Sequence, residues 1–373
     1  EGQMERAERQ RKKRCSSILV KMWLSVLLLM LLSACGKREG ILETELLPSE
    51  EQRLVIYTSH KREVWWPIVK EFEERSGIWT EVTEGGSNEL LKRIAEESGQ
   101  PKADLMFGGG VDTLKSSREL FAPCEPLGLS GIAPEFRDPN GYWTAFSALP
   151  VVLIYNTKLL EPGQLRGWED LMRPMFQGKL AFADPAKSGS NFTALVTLCR
   201  VLAKQPGPDG EREVLKDFAA QLGGVLLDNS GDVMSTVADG KALAGITLEE
   251  SALKGIAAGK NIALVYPAEG TSVIPDGSAV LRGARHRENA ERFLEFVSGE
   301  DVQRLLQRRL CRRSVRKDAA RLLEQAEGGV AFPALQELHP INYDLEEISM
   351  ERDALLMSWE FYFGTPEGEE AGQ

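Results

Sequence analysis

Between residues 54 and 110, short apolar runs alternate with amphipathic stretches, and each run ends in small or hydroxylated residues. Leu54-Val55-Ile56-Tyr57 reads as a buried strand. From Glu63 to Ser76, Val64, Ile68 and Phe72 fall at helical spacing with Trp65-Trp66, and Gly77 is a stop signal. Ile78 to Val82 is a second strand. Ser87, after Gly85-Gly86, caps a helix carrying Leu90, Leu91 and Ile94. Ala103 to Phe107 is a third strand, running into Gly108-Gly109-Gly110. Three strands and two helices in about 55 residues predict an α/β unit with a mostly parallel sheet.

A second unit follows an extended passage at 141–156. It has strands at Lys179–Phe182, Val225–Leu227, Ala242–Thr247 and Ile262–Tyr266, with helices at Ser190–Leu202 and Asp232–Ala238. Pro267 to Thr271 is a turn. The chain from Ala290 reads as mainly helical, with Phe293, Phe296, Val302 and Leu305 on one amphipathic stretch. The length of 373 residues agrees with about two domains.

The N-terminal segment reads as an address. Arg11-Lys12-Lys13-Arg14 and Lys21 precede the apolar run Trp23–Leu32, which is short for a membrane span. Leu32-Ser33-Ala34-Cys35 then resembles a bacterial lipobox, with Cys35 as the lipidated residue after removal of 1–34. Residues 35–52 form an acidic tether. Removing 1–34 takes away seven Lys/Arg and three Asp/Glu, so the net charge moves from −11 to −15. That balance argues against nucleic acid as a partner. His60, His286 and His339 are too scattered for a zinc site. Cys124, Cys199 and Cys311 are odd in number and far apart, and read as buried small hydrophobes rather than a disulfide framework.

Five loops share one physical design: small polar residues between a strand end and a helix start. They are Thr58-Ser59-His60, Gly85-Gly86-Ser87-Asn88, Gly108-Gly109-Gly110, Asp184 through Ser188-Gly189-Ser190, and Asn229-Ser230-Gly231-Asp232. Open α/β sheets bind ligands at the carboxyl ends of their strands. Helix N-termini there offer free N–H groups to anions. Taken alone, each loop reads equally as an ordinary cap. Together, in two units, they point to an anionic, oxygen-rich ligand held between two lobes. His60 is either a satisfied histidine or a donor of a hydrogen bond or partial positive charge to that anion. Glu249 and Glu250, with Asp228 and Asp232, are either solvated ends of elements or acceptors for ligand hydroxyls. No dinucleotide fingerprint, Walker A pattern or Gly-x-Ser-x-Gly elbow occurs, so no enzyme activity and no cofactor are expected.

The lipobox, Leu54 to His60, Gly85-Gly86 and Ala103 to Asp112 together resemble bacterial extracellular solute-binding proteins, in the ferric-iron, sugar-phosphate and phosphonate branch. Gly141-Tyr142-Trp143, Tyr155-Asn156-Thr157, Trp168 to Leu171, Asp184-Pro185 and Pro267 to Thr271 continue the likeness in order, over nearly all of 53–310. The resemblance implies a two-lobed, type II periplasmic-binding-protein-like α/β fold, each lobe a mostly parallel sheet flanked by helices, with a two-strand hinge. It places lobe 1 at 53–148 plus 269–373 and lobe 2 at 149–268. It also implies a monomeric receptor anchored outside the cytoplasm, handing a small anionic solute to an ABC permease. A ligand-binding subunit for a sensor kinase is the other use of such a cleft. Ferric-binding members use an adjacent tyrosine pair, and this chain has none. The resemblance therefore favours hexose phosphates, phosphoglycerates or phosphonates over Fe(III). It puts Thr58, Ser59, His60, Ser87 and Ser188–Ser190 at phosphate, and Asp228, Asp232, Glu249 and Glu250 at the polyol or amine end, with no metal.

Overall fold

The structure is a computed structural model that describes residues 48–124, 130–205, 207–324 and 332–364. The signal segment, Cys35 and most of the tether lie outside the described residues.

The first three strands are β1 (Arg53–Thr58), β2 (Trp79–Glu84) and β3 (Leu105–Gly110), with α1 (Arg62–Ser76) and α2 (Ser87–Glu96) between them. β1 pairs in parallel with both β2 and β3, as the strand–helix alternation predicts. α3 (Val111–Ser116) leaves β3 without a loop. β4 (Thr144–Asn156) is the extended passage of the sequence. The second lobe adds α4 (Trp168–Leu171), β5 (Leu180–Ala181), α5 (Gly189–Leu202), α6 (Pro208–Leu222), α7 (Gly231–Ala238), β6 (Ala244–Leu248), α8 (Glu249–Ala257) and β7 (Ile262–Val265). The chain then returns through β8 (Val273–Val280), α9 (Arg287–Ser298), α10 (Glu300–Arg309), α11 (Ala319–Glu324) and α12 (Leu345–Gly364).

The strand order is β2-β1-β3-β8-β4-β6-β5, with β7 also on β4. The sheet is mixed rather than mostly parallel. β8 runs antiparallel to β3 and β4, and β4 antiparallel to β6 and β7. The reason is the return path: both crossing strands link the lobes, and they run opposite ways. β4 pairs with β8 through Pro150 and with β6 from Val151. At that crossing, Val151 N–H donates to Ser272 O at 3.0 Å.

Period-two alternation along β4 feeds two layers of the second lobe. Val151, Leu153 and Tyr155 join Trp168, Phe182 and Phe218, while Val152 and Ile154 join Val233 and Ala252. The first lobe buries Leu54, Ile56, Phe107 and Phe146 against Phe293 and Leu306. Its other face carries Tyr57, Met106, Phe121 and Val315. Every buried aromatic here removes a large apolar area from water, about 25 cal/mol per Å².

Other features differ from the sequence reading as well. Val225–Leu227 is not a strand; only the isolated bridge Ala183–Leu227 forms there. β8 and the helices α3, α4, α6 and α8 have no counterpart in it. The C-terminal segment, expected wholly with lobe 1, reaches both lobes. Tyr343 donates to Asp112 of α3 at 3.0 Å, while Trp359 is buried with Phe182 and Phe218 of lobe 2.

Candidate functional site

The carboxyl ends of β1, β3 and β6 and the helices that follow them open onto one cavity of about 500 Å³ between the lobes. Such a volume suits a small organic ligand. From lobe 1 its wall contains Ser59, His60, Lys61, Gly86, Ser87, Gly109 and Gly110. From lobe 2 it contains Lys187, Ser188, Gly189, Ser190, Asp228, Asn229, Ser230 and Glu250. Parts of all five loops therefore converge.

Local backbone chemistry explains the convergence. Ser188 caps α5 by accepting from the Asn191 N–H at 3.3 Å, and it lies 3.1 Å from Ser190 Oγ. α2 begins at Ser87 with Gly86 in the N-cap position. Gly108 and Gly109 adopt φ of 103° and 122°, where a side chain is strained. A Cβ on Gly108 would stand 2.7 Å from Ser59 Oγ and 2.8 Å from His60 Nε2. Gly108 lets β3 pass close under His60. The two walls also touch: Asn88 Nδ2 donates to Ala186 O at 3.0 Å.

Three expected site residues do not line the cavity. Thr58 is fully buried and spends its hydroxyl on Phe107 O at 2.7 Å. Glu249 is sealed away, with Arg313 and the Tyr266 hydroxyl on its carboxylate. Asp232 accepts from Asn229 Nδ2 on an exposed helix start. Asp228 does line the cavity, but it is paired with Lys187 at 2.9 Å.

His60 differs electrostatically from the expectation. It is 4% exposed, packed edge-on against Phe107. Burial, reinforced by the Arg312 guanidinium, holds its pKa well below the ordinary histidine value, so the ring is neutral at neutral pH. Its Nε2 makes no hydrogen bond and lies 3.5 Å from Asp276 Oδ2. It can offer an anion a hydrogen bond but no charge.

The deep cation is instead Arg312, which the sequence reading missed. It is 8% exposed and lies between Asp276 and Glu250, at 2.5 and 2.6 Å. Burial works against its charge, but the two carboxylates outweigh it and hold its pKa above the ordinary arginine value. Burial pushes the Asp276 carboxyl up, opposed by Arg312 and the Gly109 N–H. Asp276 is on β8 and Arg312 just past α10. Both are far from the glycine loops in sequence, and no local pattern marks them.

The charged side chains of the wall balance. Lys61, Lys187, Lys254 and Arg312 face Glu63, Asp228, Glu250 and Asp276. The six tyrosines are spent elsewhere; none is in the wall. Tyr57 donates to Glu97, Tyr266 to Glu249 and Tyr343 to Asp112, while Tyr155 and Tyr362 pack in the lobe 2 core and Tyr142 lies under Arg118. Among the described residues no cluster of three His, Cys, Asp or Glu is arranged to hold a metal ion.

Comparison with known proteins agrees with this architecture. The profile of the family described as bacterial extracellular solute-binding protein matches residues 100–335. Iron uptake protein A1 of Synechocystis is 28% identical over 299 residues, covering 74% of this chain and 79% of its own. The periplasmic binding protein AfuA from Actinobacillus pleuropneumoniae, solved with exogenous fructose-6-phosphate bound, superposes with a TM-score of 0.74 at 26% identity. That match covers 84% of this chain and 98% of AfuA. Iron-bound HitA from Pseudomonas aeruginosa shares the fold at a TM-score of 0.70 and 24% identity, over 82% of this chain and 99% of HitA.

Proposed function

We propose that this chain, which belongs to the bacterial extracellular solute-binding proteins and serves an ABC importer, captures a small phosphorylated or phosphonate solute in the inter-lobe cavity. One observation carries the reading. The wall offers hydroxyls, glycine backbone and the helix starts at Ser87 and Ser188, together with Arg312, while every tyrosine is engaged elsewhere. Hydroxyls and helix-start N–H groups suit phosphoryl oxygens. Ferric iron instead favours anionic oxygen ligands such as phenolate. The names of the relatives span both chemistries, and the make-up of the wall supports the organophosphorus one.

In this reading Ser59, Ser87, Ser188 and Ser190 meet the phosphoryl group, with the Gly86, Gly109, Gly110 and Gly189 backbone close behind. His60 donates a hydrogen bond. Asn229 and Ser230 face the organic remainder, and Glu250 stands beside Arg312. The receptor sits outside the cytoplasm, held to the membrane by lipid on Cys35, and passes its solute to the permease.

Thermal-shift and calorimetric titration of the protein beginning after Cys35 tests the reading. The probes are fructose 6-phosphate, 3-phosphoglycerate, 2-aminoethylphosphonate and ferric citrate. Stabilisation by at least one organophosphorus probe is expected. Binding of ferric iron alone overturns it.

A further inference from the structure

We infer that Arg312 is the residue that selects the solute's anionic group, and that Glu250 is a resident carboxylate which the solute displaces from it. The inference rests on the reading of the cavity as an anion site. Its starting point is the charge balance of the wall. Lys187, Lys254 and Arg312 are each held by a wall carboxylate, and Arg312 is the buried one, so an anion deep in the cavity gains that cation only by exchange.

The exchangeable partner can be identified from geometry. α10 ends at Arg309, Cys311 with a φ of 54° turns the chain, and two arginines follow. The Ala148 N–H donates to Arg313 O at 3.0 Å, so both arginines stand beside the point where β4 passes between lobes. Leu310 and Val315, on either side of them, pack in the lobe 1 core. Glu249 and Glu250 open α8 of lobe 2. Each arginine thus reaches across to one glutamate.

The two pairs are built differently. Arg313 donates from Nε and Nη2 to both oxygens of Glu249 at 2.7 Å, away from the cavity. Arg312 lies in the cavity wall and is shared. Its Nη1 donates to Asp276 at 2.5 Å and to Ser147 Oγ at 3.2 Å. Its Nε stands 2.6 Å from Glu250 Oε2 but lacks hydrogen-bond alignment. Asp276 is 3% exposed and has no second cation, so losing Arg312 would strand its charge. Glu250 has one: Lys254, one turn along α8, donates to it at 2.5 Å. Releasing Arg312 therefore costs Glu250 less. The planar guanidinium edge freed by that exchange matches two oxygens of a phosphoryl group. The Arg313–Glu249 pair holds the lobes in place while the exchange occurs.

Glu250→Gln and Arg312→Lys, titrated calorimetrically with fructose 6-phosphate, 2-aminoethylphosphonate and inorganic phosphate, test this. Glu250→Gln removes the competitor and is expected to tighten whichever probe the native protein binds, by about tenfold. Arg312→Lys loses the planar edge and is expected to weaken it by about tenfold or more. A purely structural role for the pair predicts that both variants weaken binding. Unchanged or weaker binding by Glu250→Gln overturns the inference and leaves the proposed solute class standing. If the native protein binds none of the probes, the solute class falls, and this inference with it. Should Arg312→Lys fail to fold, Glu250→Gln alone still decides.

Discussion

Arg313→Met isolates the sealed member of the arginine–glutamate pairs. Glu249 is 1% exposed and accepts two hydrogen bonds of 2.7 Å from Arg313 and one of 2.6 Å from Tyr266. The substitution keeps the aliphatic bulk but removes both charged donors, leaving a buried carboxylate with one phenol. The N-terminal end of α8 offsets part of the loss, about 0.3–2 kcal/mol. Breaking a buried pair from one side costs about 3–5 kcal/mol. Removing both charges, in Glu249→Leu with Arg313→Met, is expected to recover most of that, because no charge is stranded. Urea denaturation followed by tryptophan fluorescence measures both variants, and the double-mutant cycle gives the coupling. A loss below about 1 kcal/mol in Arg313→Met, or a double variant no better than the single, would refute the burial argument.

Acid sensitivity provides a second check. Because the His60 pKa is depressed in the fold, the unfolded state binds the extra proton below about pH 6.5, and stability falls there by up to about 1.4 kcal/mol per pH unit. Denaturation at pH 7 and pH 5.5 should show that slope, and His60→Gln should reduce it. Gly108→Ala should destabilise by about 1–3 kcal/mol, measured by melting, since it combines a φ of 103° with contacts under 3 Å to Ser59 and His60. Burial pushes the Cys124 thiol up to about 11 and raises that of Cys199 as well. Iodoacetamide at pH 8 should therefore spare both until the protein is unfolded, as peptide mass mapping would show.

The glycine and serine loops were readable because their signal is local: an apolar run, a small polar link, then a helix start. The same locality explains what escaped. In β8, Pro275-Asp276-Gly277-Ser278 carries turn residues, and only the neighbours on both sides, β3 and β4, hold it extended. α6 opens with Pro208-Asp209-Gly210, which reads as a turn although proline suits a helix start. Arg312 meets Asp276 and Glu250 only through the tertiary fold, so no spacing rule reaches it. The charge state of His60 depends on burial beneath Phe107 and Phe146, and that too follows from the fold. Trp359 was invisible as a lobe 2 residue because α12 carries apolar side chains on every side and offers no single face to assign.

The placement of β8 has a consequence for how the chain is made. This strand is among the last to leave the ribosome, yet it sits in the middle of the sheet, between β3 and β4. Phe293, Leu294 and Leu306 arrive later still and fill the core under β1. Residues 53–148 alone would expose the β3 edge and an unfilled cavity, so they are not an excisable domain. The second lobe, contiguous but for Trp359 and its α12 neighbours Leu355, Tyr362 and Phe363, has most of its core in hand earlier. The N-terminal half of the chain must therefore wait for the C-terminal half. Such long-range closure makes folding slow and leaves the β3 edge open until the chain is nearly complete.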